Sequence, residues 1–207
     1  MKIDLHDVHG LTDPCLLPAL KLYEQAFPLY EQMTTSFWIE NLRDMPGKAR
    51  HFLAAIDREN DEVVGMAFYE ICRSAPALAV ARLWYLCTRE ERRGQGLGSR
   101  MYGILISRLF AEGVRAVAFE VERPDAAIDH GDDQAELAAR RIQWYRRNGA
   151  MLLQNVDYLQ YVDNGLPPTP MYLMIHPQAP LSGEEAFRLV TEVLGLKAEA
   201  VGPLVLE

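Results

Sequence analysis

Arg92-Arg93-Gly94-Gln95-Gly96-Leu97-Gly98-Ser99 is the stretch on which the reading of this chain turns. It stands between an apolar run that reads as a strand, Val80–Thr88, and a helical pattern over Gly96–Glu112. Glycine lets the backbone turn sharply and approach a ligand with no Cβ in the way. Amide hydrogens in such a turn, with the free donors of a helix N-terminus, make an anion site. The positive end of the helix dipole adds about 0.3–1 kcal/mol at an exposed position. Arg93, helped by Arg92 or Arg100, supplies mobile positive charge suited to a diphosphate. Two other readings compete with this one. A solvated tight turn needs no ligand. A dinucleotide-binding G-x-G-x-x-G turn draws support from Glu120 and Glu122, some twenty residues on, but its third glycine falls on Ser99. The charged run Arg89–Arg93 also separates strand from glycines, where that fold turns directly off the strand.

Outward from the turn the chain alternates strands and helices. On the N-terminal side, residues 2–8 alternate like a strand, and Asp13-Pro14 offers an N-cap and a first helical proline. Leu17, Leu20, Tyr23 and Phe27 follow at helical spacing. A second helix from Thr34 or Thr35 carries Phe37, Ile39 and Leu42 and closes at Pro46-Gly47. His51–Asp57 and Glu62–Cys72 read as a hairpin around Arg58-Glu59-Asn60-Asp61, with Val80–Thr88 as the third strand of a meander. On the C-terminal side, Leu97, Met101, Ile104, Leu105 and Leu109 line one helix face, and Gly113 stops it. Val114–Glu122 is a strand, Arg123–Gln134 a polar loop, and Ala135–Asn148 a helix ending at Gly149. Strands Met151–Tyr161 and Met171–His176, a helix near Glu184–Leu194 and a short tail complete a mixed α/β chain with one central crossover.

The totals narrow the classes of function. Acidic residues outnumber basic ones, 29 against 21, and the net charge of -8 opposes a phosphate-driven grip on nucleic acid. No apolar run approaches the roughly 20 residues that span a bilayer, and the N-terminus lacks a signal-peptide core, so a cytoplasmic protein without membrane attachment is expected. Cys15, Cys72 and Cys87 lie far apart without metal-ligand spacing, as reduced thiols do, and no metal is expected. A nucleophilic Cys87 is disfavoured by its apolar flanks. The cluster Asp125, Asp129, His130, Asp132 and Asp133 matches no zinc or calcium-loop pattern and reads as a solvated loop.

Arg93-x-x-Gly96-x-Gly98 resembles the signature Q/R-x-x-G-x-G/A of the GNAT superfamily of acetyl-CoA-dependent N-acetyltransferases. Trp144-Tyr145-Arg146-Arg147-Asn148-Gly149-Ala150 resembles that family's helix-ending Y-x-x-x-G-F, with Ala150 in place of Phe. The likeness spans residues 2–176. It implies the GNAT acyl-CoA N-acyltransferase fold, a mostly antiparallel twisted central sheet flanked by helices. It implies a domain over residues 1–178, with 179–207 a helical extension packed on it. The resemblance places the coenzyme diphosphate on the backbone amides of Gln95, Gly96, Leu97, Gly98 and Ser99, with Arg93 and Gly94 in the same cofactor-binding stretch, and the pantetheine arm along Leu86, Cys87 and Thr88. It places Tyr145 where the leaving thiolate is protonated. Glu120 or Glu122, two apart on one strand face, are candidates to relieve the acceptor amine of its proton, and Glu70 is a third. Tyr158, Tyr161 and Tyr172 are candidates for an acceptor pocket. The implied reaction is direct acetyl transfer from acetyl-CoA, without a metal, to a small-molecule or peptide amine. A non-catalytic coenzyme A-binding module is the alternative, and a homodimer is left open.

Overall fold

The computed structural model describes residues 2–43, 49–75, 78–127, 132–161 and 167–207. The strands are β1 (Ile3–Asp7), β2 (Arg50–Asp57), β3 (Glu62–Ala75), β4 (Leu78–Thr88), β5 (Val114–Glu122), β6 (Met151–Gln160), β7 (Thr169–Pro177) and β8 (Ala198–Leu206). The helices are α1 (Leu16–Ala26), α2 (Thr35–Leu42), α3 (Leu97–Ala111), α4 (Pro124–Ala127), α5 (Asp132–Arg147) and α6 (Gly183–Arg188). The hydrogen-bonding order of the strands is β1-β2-β3-β4-β5-β7-β6-β8. β4 and β5 run parallel, joined through α3, whereas the pairs β1–β2, β2–β3, β5–β7, β6–β7 and β6–β8 are antiparallel. The expected mixed α/β class with one central crossover is therefore the observed one.

The chain divides into two compact units, one containing Met1–Ile71 and Leu83–Arg108, the other Cys72–Arg82, Leu109–Tyr161 and Pro167–Glu207. The first unit is packed around aromatic rings. Tyr23 meets Trp38 and Tyr85 edge-on at 5.0 and 4.8 Å, and Trp38 meets Phe68 at 5.1 Å. Their hydroxyls are used as well: Met33 N–H donates to Tyr23 Oη at 2.7 Å, and Tyr85 Oη donates to the Glu31 carbonyl at 2.7 Å. Both bonds pin the turn between α1 and α2. Gly65 answers to a close approach. A Cβ there would lie 2.9 Å from the Cys87 carbonyl oxygen and 2.9 Å from Met101 Sδ. The second unit buries Val80, Ala116, Ala118, Leu153, Leu173 and Ile175 with Ala186, Leu189 and Val190 of its C-terminal helical turns.

Several local expectations are corrected. α1 begins at Leu16, and its buried face is Leu16, Ala19, Leu22 and Tyr23, so Leu17 is left exposed. Asp13 caps the turn before it, accepting from the Cys15 amide at 2.9 Å. α2 is capped by Thr34, but it buries Trp38 and Leu42 and leaves Ile39 outward. Its expected stop at Pro46-Gly47 lies outside the described residues, as do Asp129 and His130. The supposed loop after β5 carries α4 and the first turn of α5, consistent with Pro124 opening a helix. The final helix is short and ends in a π-type turn at Leu189–Val193, where Leu194 N–H reaches the Leu189 carbonyl. The short tail carries a strand: β8 pairs with β6 from Tyr158↔Ala198 to Leu153↔Leu206. Gly202 and Pro203 mask it in sequence, being residues that strands avoid except at edges and bulges.

Candidate functional site

β4 ends where the Arg89 amide bonds to the Val64 carbonyl at 2.8 Å. Along it, Leu86 and Thr88 are half-buried and Cys87 is buried, the alternation a strand imposes. Burial pushes the Cys87 thiol up to about 12. A buried thiol of raised pKa is poorly suited to nucleophilic attack. A single 3₁₀ turn, Glu90–Arg92, then reverses the chain, with Arg92 and Arg93 amides bonded to the carbonyls of Arg89 and Glu90. Gly94 and Gly96 follow, both at φ +76°, and a Cβ on either would meet nothing within 4 Å. The demand for glycine here is thus set by backbone conformation, and the space above the turn is open.

The carbonyl of Gly96 accepts the first helical bond, from Arg100 at 3.0 Å, so the amides of Leu97, Gly98 and Ser99 are those of the first helical turn. Among the described residues, none of the backbone bonds outside helices and strands is donated by the amides of Gly94 to Ser99. Gly94, Gln95 and Gly96 are exposed, whereas Leu97, Met101, Leu105 and Leu109 anchor the helix beneath them. Arg93 is over half exposed, with Nη1 3.4 Å from the neighbouring Glu90. Arg92 lies 3.7 Å from the buried Asp57 and is thereby drawn toward the sheet. Of the two arginines, Arg93 is the one left at the surface to meet an anion.

In the second unit, Tyr145 sits in the last turn of α5, buried, with its ring 4.3 Å from Phe119 and 4.7 Å from Trp144. Asn148 and Ala150 amides both return to its carbonyl. Gly149 permits that tight exit, because a Cβ there would sit 3.0 Å from the His176 ring. β5 carries Glu120 and Glu122, whose side chains are 4% and 5% exposed. Arg82 Nη2 and Tyr158 Oη both donate to Glu120 Oε1, and Arg141 Nη1 donates to Glu122 Oε2 at 2.7 Å. Burial, and then the charge of Glu120, push the Tyr158 hydroxyl well above its ordinary range. Tyr158 is accordingly a neutral donor. Glu70 is likewise 3.5 Å from Arg50 Nε, and Arg50 also lies over the rings of Trp84 and Phe37. Tyr172 lies beneath the Arg123 guanidinium, and Tyr161 is exposed. Sequence reasoning named the glutamates but not their partners, since Arg82 is 38 residues from Glu120 and Arg141 19 from Glu122.

This strand order, with a glycine turn heading the helix between the parallel strands, is that of the GNAT acyl-CoA N-acyltransferase fold. Residues 14–129 match the acetyltransferase (GNAT) family, and the chain belongs to that family. A structure described as a GNAT-family acetyltransferase from Bacteroides thetaiotaomicron is similar at a TM-score of 0.65 and 24% identity, covering 95% of this chain and 100% of that one. NAA60 of Arabidopsis thaliana, solved with acetyl-CoA, is similar at 0.59 and 16% identity over 86% of this chain and 99% of its own. An aminoglycoside 6'-N-acetyltransferase solved with coenzyme A is similar at 0.57 and 20% identity, over 87% and 99%. A search of curated protein sequences found no match. Among the described residues, no helix is long and apolar enough to cross a membrane.

Proposed function

We propose that this protein transfers an acetyl group from acetyl-CoA to a primary amine of a small molecule or peptide. The observation that carries the reading is the open turn at Gly94 and Gly96, whose amides and those of Leu97–Ser99 stand ahead of a well-anchored helix. In this reading those amides and Arg93 hold the coenzyme diphosphate, the main chain of Leu86–Thr88 lies along pantetheine, and the amine attacks the thioester directly. Tyr145 donates to the departing sulfur. Full proton transfer from an ordinary tyrosine to a thiolate would run uphill by roughly 2 kcal/mol, so a strong hydrogen bond to the developing charge is the role assigned.

An acceptor of lysine type is protonated at pH 7, and freeing its lone pair costs about 4.6 kcal/mol. Glu120 and Glu122 are each engaged by an arginine, so in this reading a water chain beside them relays the proton of the amine. The engagement of both carboxylates by arginines favours a second reading, a coenzyme A-binding module without turnover.

Calorimetric titration with coenzyme A, followed by thiol-release assays across a panel of amines, separates the two. Binding that is lost in Gly96→Glu supports the cradle. Thiol release that Tyr145→Phe lowers at unchanged coenzyme affinity supports catalysis. Coenzyme binding with no thiol release from any amine leaves the binding module, and no binding at millimolar coenzyme removes both readings.

A further inference from the structure

In the first unit, three side chains of different donor chemistry converge. His6 lies on β1, and Asp13 and Cys15 flank Pro14 in the turn that opens α1. One ligand atom from each, a ring nitrogen, a carboxylate oxygen and a sulfur, all fall within 4.8 Å of one another. His6 Nε2 is 3.0 and 3.2 Å from the two oxygens of Asp13. The carboxylate is held independently of that ring: the Cys15 amide donates to Oδ1 at 2.9 Å and the His9 amide to Oδ2 at 3.2 Å. The Asp13 side chain is only 7% exposed, so it is fixed before any ligand arrives, while His6 at 35% keeps a path to solvent.

We propose that His6, Asp13 and Cys15 bind a borderline-soft divalent cation of the zinc type. Metal bonds of about 2.0–2.3 Å in a tetrahedral site set neighbouring ligand atoms roughly 3.3–3.8 Å apart, a spacing that small side-chain rotations reach from the observed cluster. Mixed nitrogen, oxygen and sulfur donors suit zinc, and the thiolate and imidazole exclude the all-oxygen shells of calcium and magnesium. The two backbone amides on Asp13 become the outer-shell bonds that orient a ligating carboxylate. Water takes the fourth position, or His9, whose ring stands edge-on to that of His6 at 6.1 Å. Cys15 binds as thiolate, its proton passing to solvent. The cation then clips β1 to the start of α1, an effect separate from acetyl transfer.

The test uses the untagged full chain, reduced and stripped with a chelator, titrated with Co²⁺ and then Zn²⁺. One Co²⁺ per chain is expected, with a sulfur-to-metal charge-transfer band that Zn²⁺ bleaches, and zinc raises Tm. Cys15→Ser removes the band and the Tm rise, and His6→Gln weakens binding by at least tenfold. Cys72→Ser leaves both unchanged. Unaltered melting of the metal-free variants shows that they fold. Absence of a thiolate band, its survival in Cys15→Ser, or its loss in Cys72→Ser overturns the site.

Discussion

At the scale of single residues, the glycines separate two kinds of constraint. Gly96 has open space above it and a left-handed backbone, so Gly96→Ala fits sterically and loses about 1–2 kcal/mol through conformation alone. Denaturant unfolding should read that loss, while Gly96→Glu should add a loss of coenzyme binding that Gly96→Ala does not match. Gly65 is the converse case, an ordinary backbone with no room. Gly65→Ala sets a methyl 2.9 Å from a carbonyl oxygen, and overpacking of this kind costs about 1–3 kcal/mol. His176 carries a pH effect. Burial lowers its affinity for a proton below the usual imidazole value, so the unfolded chain takes up the proton first as pH falls. Its contribution to stability is whole above about pH 6.5 and declines as pH drops from there through its lower folded value. Urea midpoints measured from pH 7.5 down to 5 should fall less steeply in His176→Gln than in the parent chain.

At the scale of elements, the strand pairs that carry charges depend on partners the local pattern does not reveal. Arg82 closes the paired stretch of β4, opposite Ala118, and reaches Glu120 on β5 together with Tyr158 of β6. Removing the guanidinium alone leaves a carboxylate buried without its counter-ion, and Arg82→Met should lose about 3–5 kcal/mol. Arg82→Met combined with Glu120→Gln should lose clearly less than the sum of the single changes, because the buried charge is removed with its partner. A double-mutant cycle by chemical denaturation measures this, and additive losses would show that the pair is not coupled. The helices show how much pattern alone can carry. The face Leu97, Met101, Leu105 and Leu109 was legible because α3 is long and buries one stripe, with only Ile104 less covered. In α1 and α2 the expected faces agree at Tyr23 and Leu42 but not at Leu17 and Ile39, which are exposed, because short helices next to turns give few positions from which to fix the phase.

At the scale of the whole chain, its C-terminal segment is tied into the sheet of the second unit. Leu152 and Glu207 exchange backbone bonds at 2.6 and 3.0 Å, and Gly183 packs so tightly that a Cβ would lie 2.3 Å from the Leu204 carbonyl. Gly183→Val should therefore detach β8, seen as faster amide hydrogen exchange at Leu152 and Glu207 with a lower Tm. Unchanged exchange there would mean that β8 gains nothing from the contact. Alternation, turn residues and helix stops, all local properties of a few neighbouring side chains, determined the order of the strands from β1 to β7, the mixed α/β class and the glycine turn. The cladding of β6 by β8, the arginine partners of Glu120 and Glu122, and the meeting of His6 with Asp13 and Cys15 were decided only by folding. Each joins residues whose separation along the chain leaves no periodic trace, and whose energies arise from burial and charge that exist only once the strands are paired.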